Sequence, residues 1–284
     1  MSAWDRDWPA PAKLNLFLHV IGRRADGYHL LQTVFHFIDL CDTLRFTPRS
    51  DGRIVLETPL PGVPPERDLV VRAAERLKIG AGDAAPLAAG GVTIHLEKRI
   101  PMGGGLGGGS SDAATTLIAL NHLWGLHLPR ERLQEIGLAL GADVPVFIHG
   151  RSCFAEGVGE RFTDVAVPEA WYLLSFPPVA VPTADIFRSP RLRRDTPAIP
   201  PSAWTPGFGH NDLEPVACAL YPEVARHLAA LRRFGEARMT GSGACCFVGF
   251  ATRAEAEQAR QAMPADFRSE IIRGLPLHPL TKLE

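Results

Sequence analysis

Residues 98–114 read KRIPMGGGLGGGSSDAA, and the seven positions from Gly103 to Gly109 hold six glycines. Each glycine enlarges the conformational entropy that folding must remove, so such a run persists only where backbone geometry demands it. Upstream, Val92 to Leu96 alternates like a strand. Downstream, Ala114, Leu117, Ile118 and Leu120 supply the apolar side of a helix, with Ser110 or Ser111 expected as N-cap and Asp112 in the first turn. Strand, glycine loop and helix in that order make a cradle for phosphate. Where no Cβ intervenes, backbone N–H groups can converge on an anion, and a helix start adds the positive end of a macrodipole.

Two familiar nucleotide loops fail on detail. Gly103, Gly105 and Gly108 satisfy G-x-G-x-x-G, but Pro101 separates them from the strand. The acidic residue a dinucleotide fold needs about 20 positions on, at a strand end, is missing. The nearest acid, Glu131, follows Pro129 at a helix start, so an NAD-dependent oxidoreductase is excluded. A loop ending in Gly-Lys-Ser/Thr needs a lysine, and none stands between Lys98 and Lys282.

The 284 residues carry 30 Lys+Arg against 31 Asp+Glu, a formal net charge of -1. That balance offers no global field for a nucleic acid, which needs many phosphates neutralised together. An anion bound here must be met locally. No stretch reaches about 18 apolar residues, and the start, MSAWDRD, has three charges and leads into no apolar h-region. A soluble cytoplasmic protein is expected, a monomer or weak homodimer acting on a small molecule, with no nucleic-acid or membrane partner. The five cysteines are odd in number and lack zinc-ligand spacing, so they read as reduced apolar residues and no metal site is assigned.

From Lys13 to Ile21, Leu14, Leu16, Leu18 and Val20 alternate with Lys13, Asn15, Phe17 and His19, the pattern of a strand. Separate strands follow at Gln32–Ile38, Thr43–Thr47 and Arg53–Glu57, divided by Asp, Pro and Gly. Helices are predicted at Asp68–Ile79, with Asp68 as N-cap, at Pro129–Leu140, and after Asp143, itself a plausible N-cap. Strands flank the GVGE turn between Cys153 and Val165. Beyond it the pattern predicts strands at 171–175, 236–240, 245–250 and 268–272, and helices at 210–220, 222–234 and 252–263. Mixed runs of strands and helices indicate an α+β chain, divided into 1–157 and 158–284.

These motifs resemble the GHMP kinase superfamily, whose phosphate loop has the form P-x-x-x-G-L-x-S-S-A and stands here as PMGGGLGGGSSDAA. The blocks PAKLNLFLHVIGRRADGYHLLQT, LGADVPVFIHG, AEGVGE, PTADIF, NDLE and MTGSGACC are similar to the branch that phosphorylates 4-diphosphocytidyl-2-C-methyl-D-erythritol. The resemblance implies a GHMP kinase fold: an N-terminal ribosomal S5 domain 2-like domain, a C-terminal ferredoxin-like domain, and ATP with Mg²⁺ as cofactors. It also implies roles. Asp143 would be the base toward the acceptor hydroxyl and Lys13 its partner, with Asn15 beside them on the substrate. Tyr28 and Phe187 would stack on cytosine, His29 would select it, and Thr183, Gly241 and Ser242, with Thr240 and Gly243, would close on the substrate side. Pro101, Met102, Gly103, Gly104, Gly105, Leu106, Gly107, Gly108, Gly109, Ser110 and Ser111 would hold the ATP phosphates, and Asp68, Leu69 and Val70 would line adenine. A serine hydroxyl would reach Mg²⁺; no carboxylate is assigned to it. Another GHMP kinase, for mevalonate, homoserine or a sugar, would have no use for Tyr28, His29 and Phe187. An RNA-binding module, which the S5-like domain also permits, lacks the basic aromatic surface.

Overall fold

In the computed structural model, which describes residues 2–60, 62–81 and 90–281, two long strands organise the first half. β1 (Trp8–Arg23) and β2 (His29–Arg49) run antiparallel through a turn closed by Arg24 N–H donating to Tyr28 O at 2.7 Å. The Asp and Pro signals predict breaks in β2 that do not occur. Instead the ladder shifts register opposite Pro11, which has no N–H to donate: Pro11 pairs with Cys41 and Ala12 with Ile38, so β2 carries Asp39 and Leu40 as extra residues. Asp42 stays in the strand because its carboxylate is used, accepting from Arg99 N–H at 2.6 Å and Ile100 N–H at 2.8 Å.

β3 (Ile54–Leu56) and β4 (Gly91–Glu97) pair in parallel, and the chain crosses between them through α1 (Leu69–Gly80). Asp68 caps α1 as predicted, accepting from Val70 N–H at 2.8 Å. α2 (Gly108–Leu123), α3 (Arg130–Leu138) and α4 (Val144–His149) complete the helical layer. Trp8, Phe46, Leu77, Leu117 and Phe147 are buried in the core between these helices and the sheet. β5 (Cys153–Glu156) adds to β2 at Thr33–Phe35, and β6 (Arg161–Asp164) pairs with β5, so this sheet extends past residue 157.

The second half holds β7 (Trp171–Ser175), α5 (Thr183–Arg188), α6 (Glu214–Leu220), α7 (Pro222–Leu231), β8 (Arg238–Met239), β9 (Cys246–Phe250), α8 (Arg253–Gln261) and β10 (Ser269–Leu275). α5 is the PTADIF segment, for which local pattern predicts no helix. Strand order is β3-β4-β2-β10-β7-β9-β8, and Gly274 and Leu275 of β10 pair with Ile38 and Phe37 of β2. One continuous sheet therefore joins both halves. Among the described residues no helix is long and apolar enough to cross a membrane.

The glycine loop docks edge to edge on the turn between β8 and β9. Cys245 N–H donates to Gly104 O at 3.1 Å, Ala244 N–H to Gly103 O at 3.3 Å, and Lys13 N–H to Leu106 O at 3.0 Å. A Cβ on Gly105 would lie 2.1 Å from Thr240 O, and one on Gly104 2.7 Å from Cys245 Sγ. These glycines are required by close packing of protein on protein, and not only by access of a ligand. Gly105 also has φ +74°, a conformation costly for any side chain. Gly109, inside α2, would place its Cβ an ordinary 3.6 Å from Leu69 Cδ1. Gly105→Ala is therefore expected to cost more than about 2 kcal/mol, while Gly109→Ala stays neutral or gains up to about 1 kcal/mol from helix propensity. Equal urea midpoints for the two variants would contradict this account.

Candidate active site

β1 delivers Lys13 into the gap between the two halves. Its residue surface is only 2 % exposed, so the ammonium must find partners inside the protein. It donates to Asn15 Oδ1 at 2.6 Å and to Gly105 O at 2.9 Å, and its Nζ lies 3.5 Å from Asp143 Oδ2. Burial lowers the Lys13 pKa from its usual 10.5, with the charge of Asp143 pulling the other way. Asn15 is held by both its side chain and its backbone. Its Nδ2 donates to Thr33 Oγ1 at 2.9 Å, its N–H donates to Thr240 Oγ1 at 2.9 Å, and its Oδ1 holds Lys13. Asn15 thus supports Lys13 while lining the same cavity as Lys13 and Asp143.

Asp143 stands at the N-cap position of α4, as expected, yet its carboxylate makes no cap bond. Pro145 occupies the first turn of α4 and offers no N–H, which removes one reason for the side chain to fold back. The carboxylate faces Lys13 instead, with its side chain 37 % exposed and open to a ligand.

On one side of this pair lies the glycine loop. α2 starts at Gly108 after Gly107, the N-cap residue in the left-handed region at φ 74°. The cap expected at Ser110 or Ser111 is thus displaced upstream, because a glycine can turn the chain where a serine would be strained. Ser110 lies in the first turn with a half-buried side chain, whereas the Ser111 hydroxyl is buried and donates to Pro11 O at 2.7 Å. Ser111 therefore does not face the loop. Asp112 falls beyond the first turn and forms an ion pair with Lys98 at 2.6 Å. Lys98 also binds Asp42, so one lysine ties β2, the loop approach and α2 together. Burial raises the Asp112 pKa while the charge of Lys98 opposes it. A cavity of about 300 Å³ lies over the loop, lined by Lys98, Leu69 and residues 100–110. Of the residues expected near adenine, Leu69 lines it; Asp68 is buried in its cap and Val70 in the core, and neither lines that cavity.

On the other side, a cavity of about 250 Å³ is lined by Lys13, Asn15, Asp143, Thr183, Phe187, Gly241 and Ser242 among others. It shares Asp143, Thr183 and Phe187 with a larger cavity of about 950 Å³ that reaches Tyr28, His29, Arg23 and Arg194. Ser110 lines both the loop cavity and this larger one. Thr183 and Ser242 are bridged through their hydroxyls at 2.7 Å. The His29 and Phe187 rings face each other at 4.8 Å, tilted by 32°, while Tyr28 is 63 % exposed at the rim. Local pattern gave no notice of Thr33, Lys98, Asp42, Asn211 or Arg194. Asn211 Nδ2 donates to Met239 O at 2.7 Å and Gly241 O at 2.8 Å, which anchors the turn that meets the glycine loop.

A basic and an acidic group between a phosphate-type loop and a ring-lined cavity are the parts of a small-molecule kinase, and the comparisons agree. The family model for the GHMP kinases N terminal domain matches residues 68–151, and that for GHMP kinases C terminal matches 205–269. A protein of Dechloromonas aromatica named 4-diphosphocytidyl-2-C-methyl-D-erythritol kinase is 62 % identical over 97 % of this chain and 99 % of its own length. A protein of the same name from Thiobacillus denitrificans is 59 % identical over 96 % of each chain. A crystal structure of 4-(cytidine 5'-diphospho)-2C-methyl-D-erythritol kinase superposes with a TM-score of 0.80 at 36 % identity, covering 95 % of this chain and 99 % of the other. The chain belongs to the 4-diphosphocytidyl-2-C-methyl-D-erythritol kinase family of GHMP kinases.

The lowered Lys13 pKa has a definite sign. A group that binds its proton less tightly than free lysine loses its charge at lower pH, so the Lys13–Asp143 attraction is lost on the alkaline side before pH 10.5 is reached. With only four lysines in the chain, the ¹³Cε signal of Lys13 is assignable by its loss in Lys13→Met. It is expected to titrate below the usual 10.5; a midpoint at or above that value contradicts the effect of burial.

Proposed function

We propose that the protein transfers the γ-phosphoryl group of ATP to the 2-hydroxyl of 4-diphosphocytidyl-2-C-methyl-D-erythritol, giving the 2-phosphate and ADP in non-mevalonate isoprenoid precursor synthesis. The observation that carries this reading is the Lys13–Asp143 pair at 3.5 Å, set between the glycine loop and the cavity of His29 and Phe187. The identity with relatives of that name over nearly the whole chain supports the same substrate.

The first-turn N–H groups of α2 have no partners within the helix and, with the loop backbone, would take the triphosphate. The acceptor hydroxyl would sit at Asp143. In a loose phosphoryl-transfer transition state the hydroxyl proton leaves late, so a well-placed carboxylate suffices as base. Lys13 would fix that carboxylate, since its other two N–H bonds are committed to Asn15 and Gly105. Stacking between Tyr28 and Phe187 would hold cytosine, with His29 at its edge. Mg²⁺ would supply charge neutralisation on the phosphates. Of the two loop serines, Ser110 lines the loop cavity while the Ser111 hydroxyl is bound to Pro11 O, so Ser110 would be the hydroxyl that reaches the ion. We take 1–157 as the ATP-binding domain, which also carries Tyr28 and His29, and 158–284 as the substrate-side domain, in cytoplasmic protein.

ATP consumption should depend on the cytidyl substrate and not on mevalonate or homoserine. Phosphorylation of mevalonate but not of the cytidyl compound overturns the assignment. Asp143→Asn is expected to fold normally and lose at least about 100-fold in kcat, the lower range of general-base effects. A kcat within a few-fold of the unchanged protein removes Asp143 from the chemistry.

A further inference from the structure

Arg194 makes four hydrogen bonds across the mouth of the large cavity. Its Nε donates to His29 Nε2 at 3.0 Å and its Nη1 to Leu192 O at 2.9 Å. Its Nη2 donates to both Phe187 O and Ser189 O at 2.9 Å. Carbonyls at the end of a helix have no partners within it, and the guanidinium fork supplies them for α5. One side chain thereby links His29 at the start of β2 to the residue whose ring faces it, Phe187.

The chemistry of the pair restricts His29 further. A guanidinium has five donors, no acceptor, and keeps its proton throughout the accessible pH range. Nε2 of His29 must therefore accept, and a neutral imidazole that accepts at Nε2 carries its hydrogen on Nδ1. Burial, then the charges of Arg194 and Arg23, also disfavour a second proton. A free imidazole can exchange tautomers and so either donate or accept at a given nitrogen. This one cannot.

That restriction matters for a pyrimidine. Cytosine presents an acceptor at N3, whereas uracil presents an N–H donor there. A ring locked as an Nδ1–H donor meets the first and opposes the second, and leaving a buried donor or acceptor unmatched is what makes a site selective. We infer that Arg194 is a positioning residue that makes His29 an obligate Nδ1–H donor and ties it to Phe187, and that it thereby sets the preference for a cytidine over a uridine nucleotide. The inference deepens the proposed function and rests on it.

The test pairs ¹⁵N spectroscopy with kinetics. In the unaltered protein the histidine signal lost in His29→Gln should show the Nδ1–H tautomer, a measurement that needs no Arg194 variant to fold. In Arg194→Ala, KM for the cytidyl substrate should rise about tenfold or more while KM for ATP holds, and the kcat/KM ratio of the cytidyl substrate to its uridyl analogue should fall by a similar factor. An Nε2–H tautomer in the unaltered protein, an unchanged ratio in the variant, or an equal rise of both KM values overturns the inference. If the unaltered protein does not phosphorylate the cytidyl substrate, the function itself fails and the cytidine preference with it. Activity there, with selectivity unchanged in Arg194→Ala, removes only the role of Arg194.

Discussion

A buried ammonium has three N–H bonds to satisfy and a charge to balance, and the Lys13 ammonium obliges three distant segments to meet. Asn15 Oδ1 comes from its own strand, Gly105 O from the glycine loop and the Asp143 carboxylate from the start of α4. An unpaired charge at that depth would cost far more than any one hydrogen bond returns, so the three acceptors together stabilise the fold with Lys13 in place. The same arrangement has a chemical result. The carboxylate at the solvent end of the cluster is aimed by the ammonium, and the backbone of the glycine loop is tied to the same group.

The glycine loop illustrates how one constraint generates another. Holding Gly105 O on Lys13 brings the loop against the turn at Thr240–Gly243, where Cys245 and Ala244 N–H groups bond to Gly104 O and Gly103 O. Strands cannot approach so closely if Cβ atoms intervene, as the 2.1 Å approach to Thr240 O at Gly105 makes plain. That turn is itself held by Asn211, which bonds Met239 O and Gly241 O. The loop is therefore a packed joint between the two halves, which the sheet also joins through the pairing of β2 with β10.

Patterns with a short period were readable from the sequence, and contacts between remote positions were not. The alternation at Lys13–Val20, the cap at Asp68 and the strands around GVGE all follow from side chains a few residues apart. Ser111 failed because the rule that favours serine at a cap is local, while its hydroxyl is claimed by Pro11 O, 100 residues earlier. Asp39 and Asp42 read as strand breakers for the same reason: the cation and N–H groups that make Asp42 welcome arrive from residues 98–100. Lys98 and Arg194 belong to this class too. Each is ordinary in its own segment and acquires its part only when the chain has folded around it.

Under the proposed function, the two sides of the site solve different recognition problems with different materials. Phosphate groups are alike in every nucleoside triphosphate, so a cradle of backbone N–H groups and a helix start can hold them without any particular side chain. This explains how a chain of net charge -1, with few lysines, can take a polyanion. A base must be told from others of nearly equal size, and stacking alone does not do that because every base has a π-face. Discrimination has to come from hydrogen bonds whose direction cannot reverse. A histidine supplies such a bond only if its tautomer is fixed, and a neighbour that can donate but never accept fixes it. The loop can thus be built almost wholly from glycine, while the opposite wall needs arginine, histidine and aromatic rings in one defined arrangement.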